Sequence, residues 1–566
     1  MVGITDMVLS IGAFMAQVES VLNEWATEQK NKRLWQGDAT LWTGKDEGRW
    51  LGWLHSVPNM LMQVDELKQF GEEIKNTGFT DVLLLGMGGS SLCPEVLSET
   101  YGSAPGYPIL HVLDSTVPEQ VIRFKESIDL KNTLCIVASK SGTTPEPNAF
   151  CAYFWDEMQK AVGNKAGSHF VAITDPGSAL QKWAEENRFR HIFKGVPEIG
   201  GRFSALSLFG LVPAALIGLD LRDFLLRAKT MTERCGPDIL PGDNPGVVLG
   251  AVLGCLARQG RDKITLITSP VIWDLGAWLE QLIAESTGKN GVGLVPIDQE
   301  ALALPDGYGN DRVFVYIRLE NAPDAEQDRQ VSQLKKAGHP VVEIYLDSPM
   351  ALGAEFFRWE MATAVAGAVL GIHPFDQPNV QESKDFTATL TKAYETSGKL
   401  PEEKPVIVDD GLCIFADETT LAQLGNIDSL EDCLLAHFGL LQPHDYVAIC
   451  AFIDMSEKHV ALLQTLRHAI RDRYRVATTL GFGPRFLHST GQLHKGGSNQ
   501  VLLLQITAEN TCDPAIPGRG FTFGILKDAQ AIGDAHALIS RNRRLIRVHH
   551  HMDLEAGFAR FIQIVS

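Results

Sequence analysis

The chain has 566 residues, 45% of them hydrophobic, with 50 Lys and Arg against 69 Asp and Glu for a net charge of −19. That acidity excludes a general electrostatic attraction for nucleic acid or anionic lipid, so any phosphorylated ligand needs a local cluster of cations. Nine cysteines without paired or CxxC spacing argue for a reducing compartment and against a disulfide framework or structural zinc; with no signal peptide or membrane span read, the expectation is a cytoplasmic enzyme of two to four domains.

Residues 1 to about 50 read as amphipathic helix through Met7, Leu9, Ile11, Met15 and Val18; the aromatic-rich Leu51 to Val57 and another helix at Met60 to Lys75 both pack on the α/β unit that starts near Asp81. From Asp81 the pattern becomes strand, turn, helix. Val82 to Leu85 is an unbroken apolar run, as a strand buried on both faces would be, and leads into Gly86-Met-Gly-Gly-Ser-Ser and a helix from Cys93 to Thr100. Glycines let the backbone approach a ligand, and a helix start offers free N–H groups to an anion. Taken alone, the stretch is equally a tight turn without a ligand. Strands are predicted at Ile109 to Leu113, Thr133 to Ala138 and Phe170 to Ile173. The second of these ends in Ser139-Lys-Ser-Gly-Thr-Thr144, a second cradle of hydroxyls with one Lys. Two such turns on neighbouring strands favour phosphate, because ligands bind at that edge of an open parallel sheet.

A second α/β unit starts near Gly242, with strands at Lys263 to Thr268, Val313 to Ile317 and Val341 to Leu346 and helices at Trp273 to Ser286 and Phe356 to Leu370. Lys399 to Lys404 reads as a linker. The last third is α/β again, with clear strands at Tyr446 to Phe452 and Val501 to Ile506.

Arg202, beside Gly200-Gly201, can stabilise a developing oxyanion or form a structural salt bridge. Gln281 and Glu285 share a helix face, and Glu285 is either a general base or a surface carboxylate. A proline-broken loop at 373–378 carries Gln377 towards Lys384. His488 and His494 flank a glycine-containing stretch and suit acid–base work; zinc is the weaker reading because no Cys or carboxylate lies at ligand spacing. His549-His-His551 reads as an exposed run beside the basic segment Arg541 to Arg547, with a metal role as the less favoured alternative.

These residues together resemble the phosphoglucose isomerase family, which is built from two sugar-isomerase (SIS) domains. Gly86-Met-Gly-Gly-Ser-Ser-Leu is similar to its first phosphate loop and Ser139-Lys-Ser-Gly-Thr-Thr-Pro-Glu146 to its second. Gly200-Gly-Arg-Phe-Ser, Gln281-x-x-x-Glu285-Ser-x-Gly-Lys and Phe375-Asp-Gln with Lys384 come after them in family order. Leu487-His-Ser-Thr-Gly-Gln further resembles the isomerase half of bacterial fused transaldolase–phosphoglucose isomerases, although no transaldolase barrel is read here. Two departures stand out. Asn379-Val-Gln-Glu382 replaces the family's Gly-Val-Glu before the Lys. The family's histidine lies between the Glu and the Lys, whereas its sequence context here is at His488, after the Lys, which implies a relocated segment.

The resemblance implies two doubly wound, flavodoxin-like three-layer αβα SIS domains, over 1–235 with the N-terminal helices and 236–400, and a C-terminal α/β domain over 401–566 carrying the histidine. It implies reversible isomerisation of glucose 6-phosphate and fructose 6-phosphate without metal or cofactor. Glu285, Lys384, His488 and Arg202 are then catalytic, and Gly89, Ser90, Ser139, Lys140, Ser141, Thr144, Gln281 and Gln377 bind substrate. The alternatives are a dual phosphoglucose/phosphomannose isomerase and a non-catalytic sugar-phosphate-binding SIS regulator. Family members are commonly homodimers whose histidine comes from the partner subunit. A histidine in the chain's own last third is compatible with delivery within the chain or across an interface.

Overall fold

A computed structural model describes residues 6–551 and 553–566. Within it the chain builds three sheets, each with helices on its faces. The first is wholly parallel, its strands lying in the order Ile109–Leu113, Asp81–Leu85, Thr133–Ala138, Phe170–Thr174, His191–Lys194. The first strand in sequence thus sits between the second and the third. This is the flavodoxin-like order, and its switch point lies between Asp81–Leu85 and Thr133–Ala138. Both strands are apolar throughout their centres because both faces are covered.

The second sheet repeats that order with Val295–Ile297, Lys263–Thr268, Arg312–Leu319 and Val341–Leu346 in parallel. Its outer edge is closed by Met7–Ser10, paired antiparallel to Val341–Leu346. The N-terminal stretch was expected to be helical, and this segment is a strand. It is a strand because its backbone pairs with Val341–Leu346, with Met7 and Ile11 buried and Val8 exposed. Helix begins only at Met15–Thr27, and the part of that expectation on residues 1–5 lies outside the described residues. One apolar core runs from Met7 through the first sheet to Phe375, so the two sheets share an interior.

The third sheet has the same parallel arrangement, Ala477–Phe482, Tyr446–Phe452, Val501–Ala508, Arg544–His550, extended by the antiparallel hairpin Leu412–Phe415 and Ile407–Asp409. It packs on both others. Tyr446, Phe486 and Leu493 join Val295 and Ile297 in one cluster, and Ile516, Phe523 and Leu526 join the helices of the first sheet in another. Residues 399–404 have no regular structure, between Pro378–Ser397 and Ile407–Asp409. No helix among the described residues is long and apolar enough to cross a membrane.

Candidate active site

A cleft of about 510 Å³ opens at the C-terminal edge of the first sheet, and all twelve residues singled out from the sequence line it. The two cradles form its floor. The first comes after Asp81–Leu85 and the second after Thr133–Ala138, one on each side of the switch point. Helices Leu92–Tyr101 and Pro145–Val162 start directly after them, so their unpaired N–H groups lie at the cradles. Gly88 has φ +57°, and a Cβ on Gly89 would stand 2.1 Å from the Gly201 carbonyl oxygen, so the first cradle packs backbone to backbone against the Arg202 turn. Ser90 and Ser139 are buried and Ser141 is exposed. The Ser139 hydroxyl donates to Thr144 Oγ1 at 3.4 Å, and the Ser141 and Thr143 hydroxyls are 2.9 Å apart. Lys140 reaches the rim but is engaged by Asp175 and by the Pro197 carbonyl.

Arg202 is buried and fully braced. Its Nε donates to Ser286 Oγ (2.7 Å), Nη1 to Gln377 Oε1 (2.9 Å) and Nη2 to the Pro374 and Asp376 carbonyls. Its Nη1 also lies 3.6 Å from Glu285 Oε1, and Gln281 Nε2 donates to Glu285 Oε2 at 3.0 Å. Glu285 sits near the C-terminal end of helix Leu275–Thr287, which aims it at the cleft beside a fixed cation. Desolvation lowers the pKa of Arg202, though Glu285 and Asp376 oppose this. Just beyond that helix end, burial and then Arg202 bring the Lys289 ammonium down to about 7, where Asp376 Oδ1 holds it at 2.9 Å.

His488 reaches the same cleft from the third unit of the same chain. Its Nε2 lies 3.1 Å from Glu146 Oε1, its carbonyl accepts from Gln281 Nε2 at 2.8 Å, and Lys384 lines the same small recess. Glu146 also accepts from Gln530 Nε2 (2.6 Å), whose Oε1 accepts from Thr116 Oγ1 (2.6 Å). Burial opposes the charged form of Glu146, but His488 outweighs it by charge and hydrogen bond, and the carboxyl is held below its ordinary range. A carboxylate so placed fixes the imidazole's orientation.

The histidine segment is wedged into place. Arg485 bridges Asp114 (2.8 Å) and Glu95 (2.6 Å) at the first sheet's edge. Gln492 Nε2 donates to the Gly288 carbonyl and to Asn379 Oδ1, and its Oε1 accepts from the Asn379 N–H. The departure at 379–382 is therefore the first turn of helix Pro378–Ser397, with Asn379 bound to the histidine segment and Glu382 paired with Arg541. Glu146, Gln530, Arg485 and Gln492 were not assigned from the sequence. Glu146 stood inside the second cradle motif, but its partner is 342 residues away.

His494 and His339 lie apart from the cleft. His494 is buried against Tyr446, Phe486 and Cys450, and burial brings it down to about 3. His339 faces the Pro305 carbonyl. The expected exposed run at 549–551 is corrected: His550 is fully buried on strand Arg544–His550, His549 is half-buried and only His551 is exposed, because the run ends a sheet strand.

The family model described as phosphoglucose isomerase matches residues 53–303, which ends before Lys384 and His488. Among curated relatives, the glucose-6-phosphate isomerase of Rubrobacter xylanophilus is 30% identical over 58% of this chain and 87% of its own length. That of Thermosynechococcus vestitus is 31% identical over 69% and 84%. Among solved structures, a hypothetical protein from Thermus thermophilus superposes with a TM-score of 0.60 at 24% identity, covering 68% of this chain and 99% of that one. A glucose-6-phosphate isomerase from Chlamydia trachomatis gives 0.51 at 23%, over 60% and 74%; at these identities the likeness is one of fold. With two curated relatives at or above 30% identity matched along most of their length, the chain is an isomerase that belongs to the phosphoglucose isomerase family.

Proposed function

We propose that the cleft interconverts D-glucose 6-phosphate and D-fructose 6-phosphate through a cis-enediol intermediate, a step shared by glycolysis and gluconeogenesis in the cytoplasm. The two cradles, through Gly89, Ser90, Ser139, Ser141 and Thr144 with Lys140 at the rim, hold the phosphate and so position the far end of the sugar. His488, oriented by Glu146, and Lys384 open the ring, one giving a proton to the ring oxygen while the other takes the proton from the anomeric hydroxyl. The Glu285 carboxylate then removes the C2 proton and returns it to C1, while the proton on O2 passes to O1. Arg202 stabilises the negative charge that appears on the enediolate oxygens between those transfers. Gln281 and Gln377 orient hydroxyls.

The observation that carries this reading is the convergence of Glu285, Arg202, Lys384 and His488 on the cleft floored by both cradles. The test is a coupled assay of fructose 6-phosphate conversion with the wild type and Glu285→Gln. The substitution should lower kcat by roughly 10²–10⁴-fold, the usual worth of a general base, with KM near that of the wild type. Near-normal turnover would remove Glu285 from the scheme. One chain supplies every group named, so specific activity should also be independent of protein concentration down to the nanomolar range.

A further inference from the structure

The C-terminal edge of the third sheet carries a second gathering of chemistry that isomerisation does not use. Strands Val501–Ala508 and Arg544–His550 run in parallel with Thr507 opposite His549 and Ala508 opposite His550. The pairing continues beyond the strand end, where the Glu509 N–H donates to the His550 carbonyl at 3.0 Å. Side chains on adjacent strands alternate with a period of two. His549 and His551 therefore share a face with Thr507 and Glu509, while His550 turns the other way against Phe558 and Phe561.

On that shared face the donor atoms converge. His551 Nδ1 lies 2.7 Å and His549 Nε2 3.6 Å from Glu509 Oε1, and one donor atom from each residue falls within 4.8 Å of the others. Thr507 Oγ1 sits 2.9 Å from His549 Nδ1, which leaves Nε2 facing Glu509. Occupying one ring nitrogen with a hydrogen bond is how a ligand imidazole is oriented. Lys527, which lines the same cavity as Glu509 and His551, is occupied by the Ala508 carbonyl, Asn510 Oδ1 and Asp528. A cavity of about 490 Å³ reaches Glu509 and His551, so an ion has a path from solvent.

We propose that Glu509, His549 and His551 bind one zinc-like divalent cation, with its remaining coordination positions open to water. Two imidazoles and one carboxylate suit zinc and its neighbours, whereas magnesium and calcium take oxygen-rich sets. The present spacings need only modest rotation to close on an ion at about 2.0–2.2 Å, and Glu509 and His551 are exposed enough to make it. The other reading, a simple ion pair between Glu509 and a protonated His551, predicts no metal affinity.

The test uses the tag-free full chain, stripped with a chelator and titrated calorimetrically with Zn²⁺, with Co²⁺ absorption reporting the ligand field. One ion per chain is expected, with binding lost in the Glu509→Gln/His551→Ala double variant. Thr507→Val should weaken it by about tenfold, the lower end for removing a ligand's hydrogen-bond partner. None of these residues lines the cleft, so isomerase activity should be unchanged in each variant. Absence of a bound ion, or equal binding by wild type and the double variant, overturns the proposal.

Discussion

The first and third sheets have the same parallel strand order, with the first strand of each between its second and third, yet their edges do opposite work. In the first sheet the loops after the first and third strands are glycine- and hydroxyl-rich and stay open, which makes a receiving site. In the third, the loop after the second strand, Ala477–Phe482, carries His488 outward into the neighbour's cleft, while Arg485 and Gln492 dock that loop on Asp114, Glu95, Gly288 and Asn379. One topology thus forms the cleft in one copy and sends a histidine into it from the other. What separates them is the side chains at the strand ends, which is why a shared sheet order says little about chemistry.

The sharpest way to break this division is to undock the donor loop. Arg485→Met leaves Asp114 and Glu95 without their cation at a buried seam, and removing one partner of such a cluster costs about 3–5 kcal/mol. Thermal unfolding should move sharply down and turnover should fall with it. Turnover loss without a change in stability would mean that Arg485 touches substrate instead.

On the receiving side, Gly89→Ala forces a Cβ to within 2.1 Å of the Gly201 carbonyl oxygen. The cradle and the Arg202 turn must separate, and a displacement near 1 Å at a positioned group costs about a hundredfold in rate. Measured kcat/KM should fall by that order, and the melting temperature should fall too, because the clash is with backbone. Gln530→Leu acts on the donor side and more gently, since Glu146 keeps its contact with His488 and loses one hydrogen bond. About a tenfold loss is expected on ring-closed substrate, a fraction of what a placed acid–base group supplies. A ring-opened analogue should be turned over normally.

The two sides were unequally visible in the sequence. Strands such as Thr133–Ala138 and Lys263–Thr268 announce themselves because burial on both faces leaves a continuous apolar run. The cradles are legible because their glycines and hydroxyls are contiguous and act locally. Met7–Ser10 was not, since four residues cannot separate a period of two from 3.6 and its partner strand begins only at Val341. Arg485 and Gln530 carried no signal because their partners lie 371 and 384 residues away in the chain. The receptor was readable as motif, whereas the donor's support exists only as tertiary contact.

The seam between the units offers the smallest and most specific effect. A cavity of about 180 Å³ there is bounded by Glu95 from the first unit, Asp274, Glu280 and Asp298 from the second, and Arg467 and Arg485 from the third. Burial, reinforced by the Asp298 charge, raises Glu280 to about 8, and burial raises Asp298 to about 7. Below about pH 4.5 the unfolded chain also holds the Glu280 proton, so the group contributes nothing there. Between about pH 5 and 8 the unfolded chain ionises while the folded one keeps its proton, so this carboxyl makes the protein less stable as pH rises. Glu280→Gln removes that slope. Its melting temperature should exceed the wild type's by roughly 1 °C at pH 8, the shift that about 1 kcal/mol produces in a chain of this length, and should match it at pH 5. If Glu280→Gln is instead less stable at pH 8, Glu280 is ionised there and paired to Arg467 or Arg485, and the donor unit is held at the seam by charge rather than by the neutral, buried contact inferred from these pKa shifts.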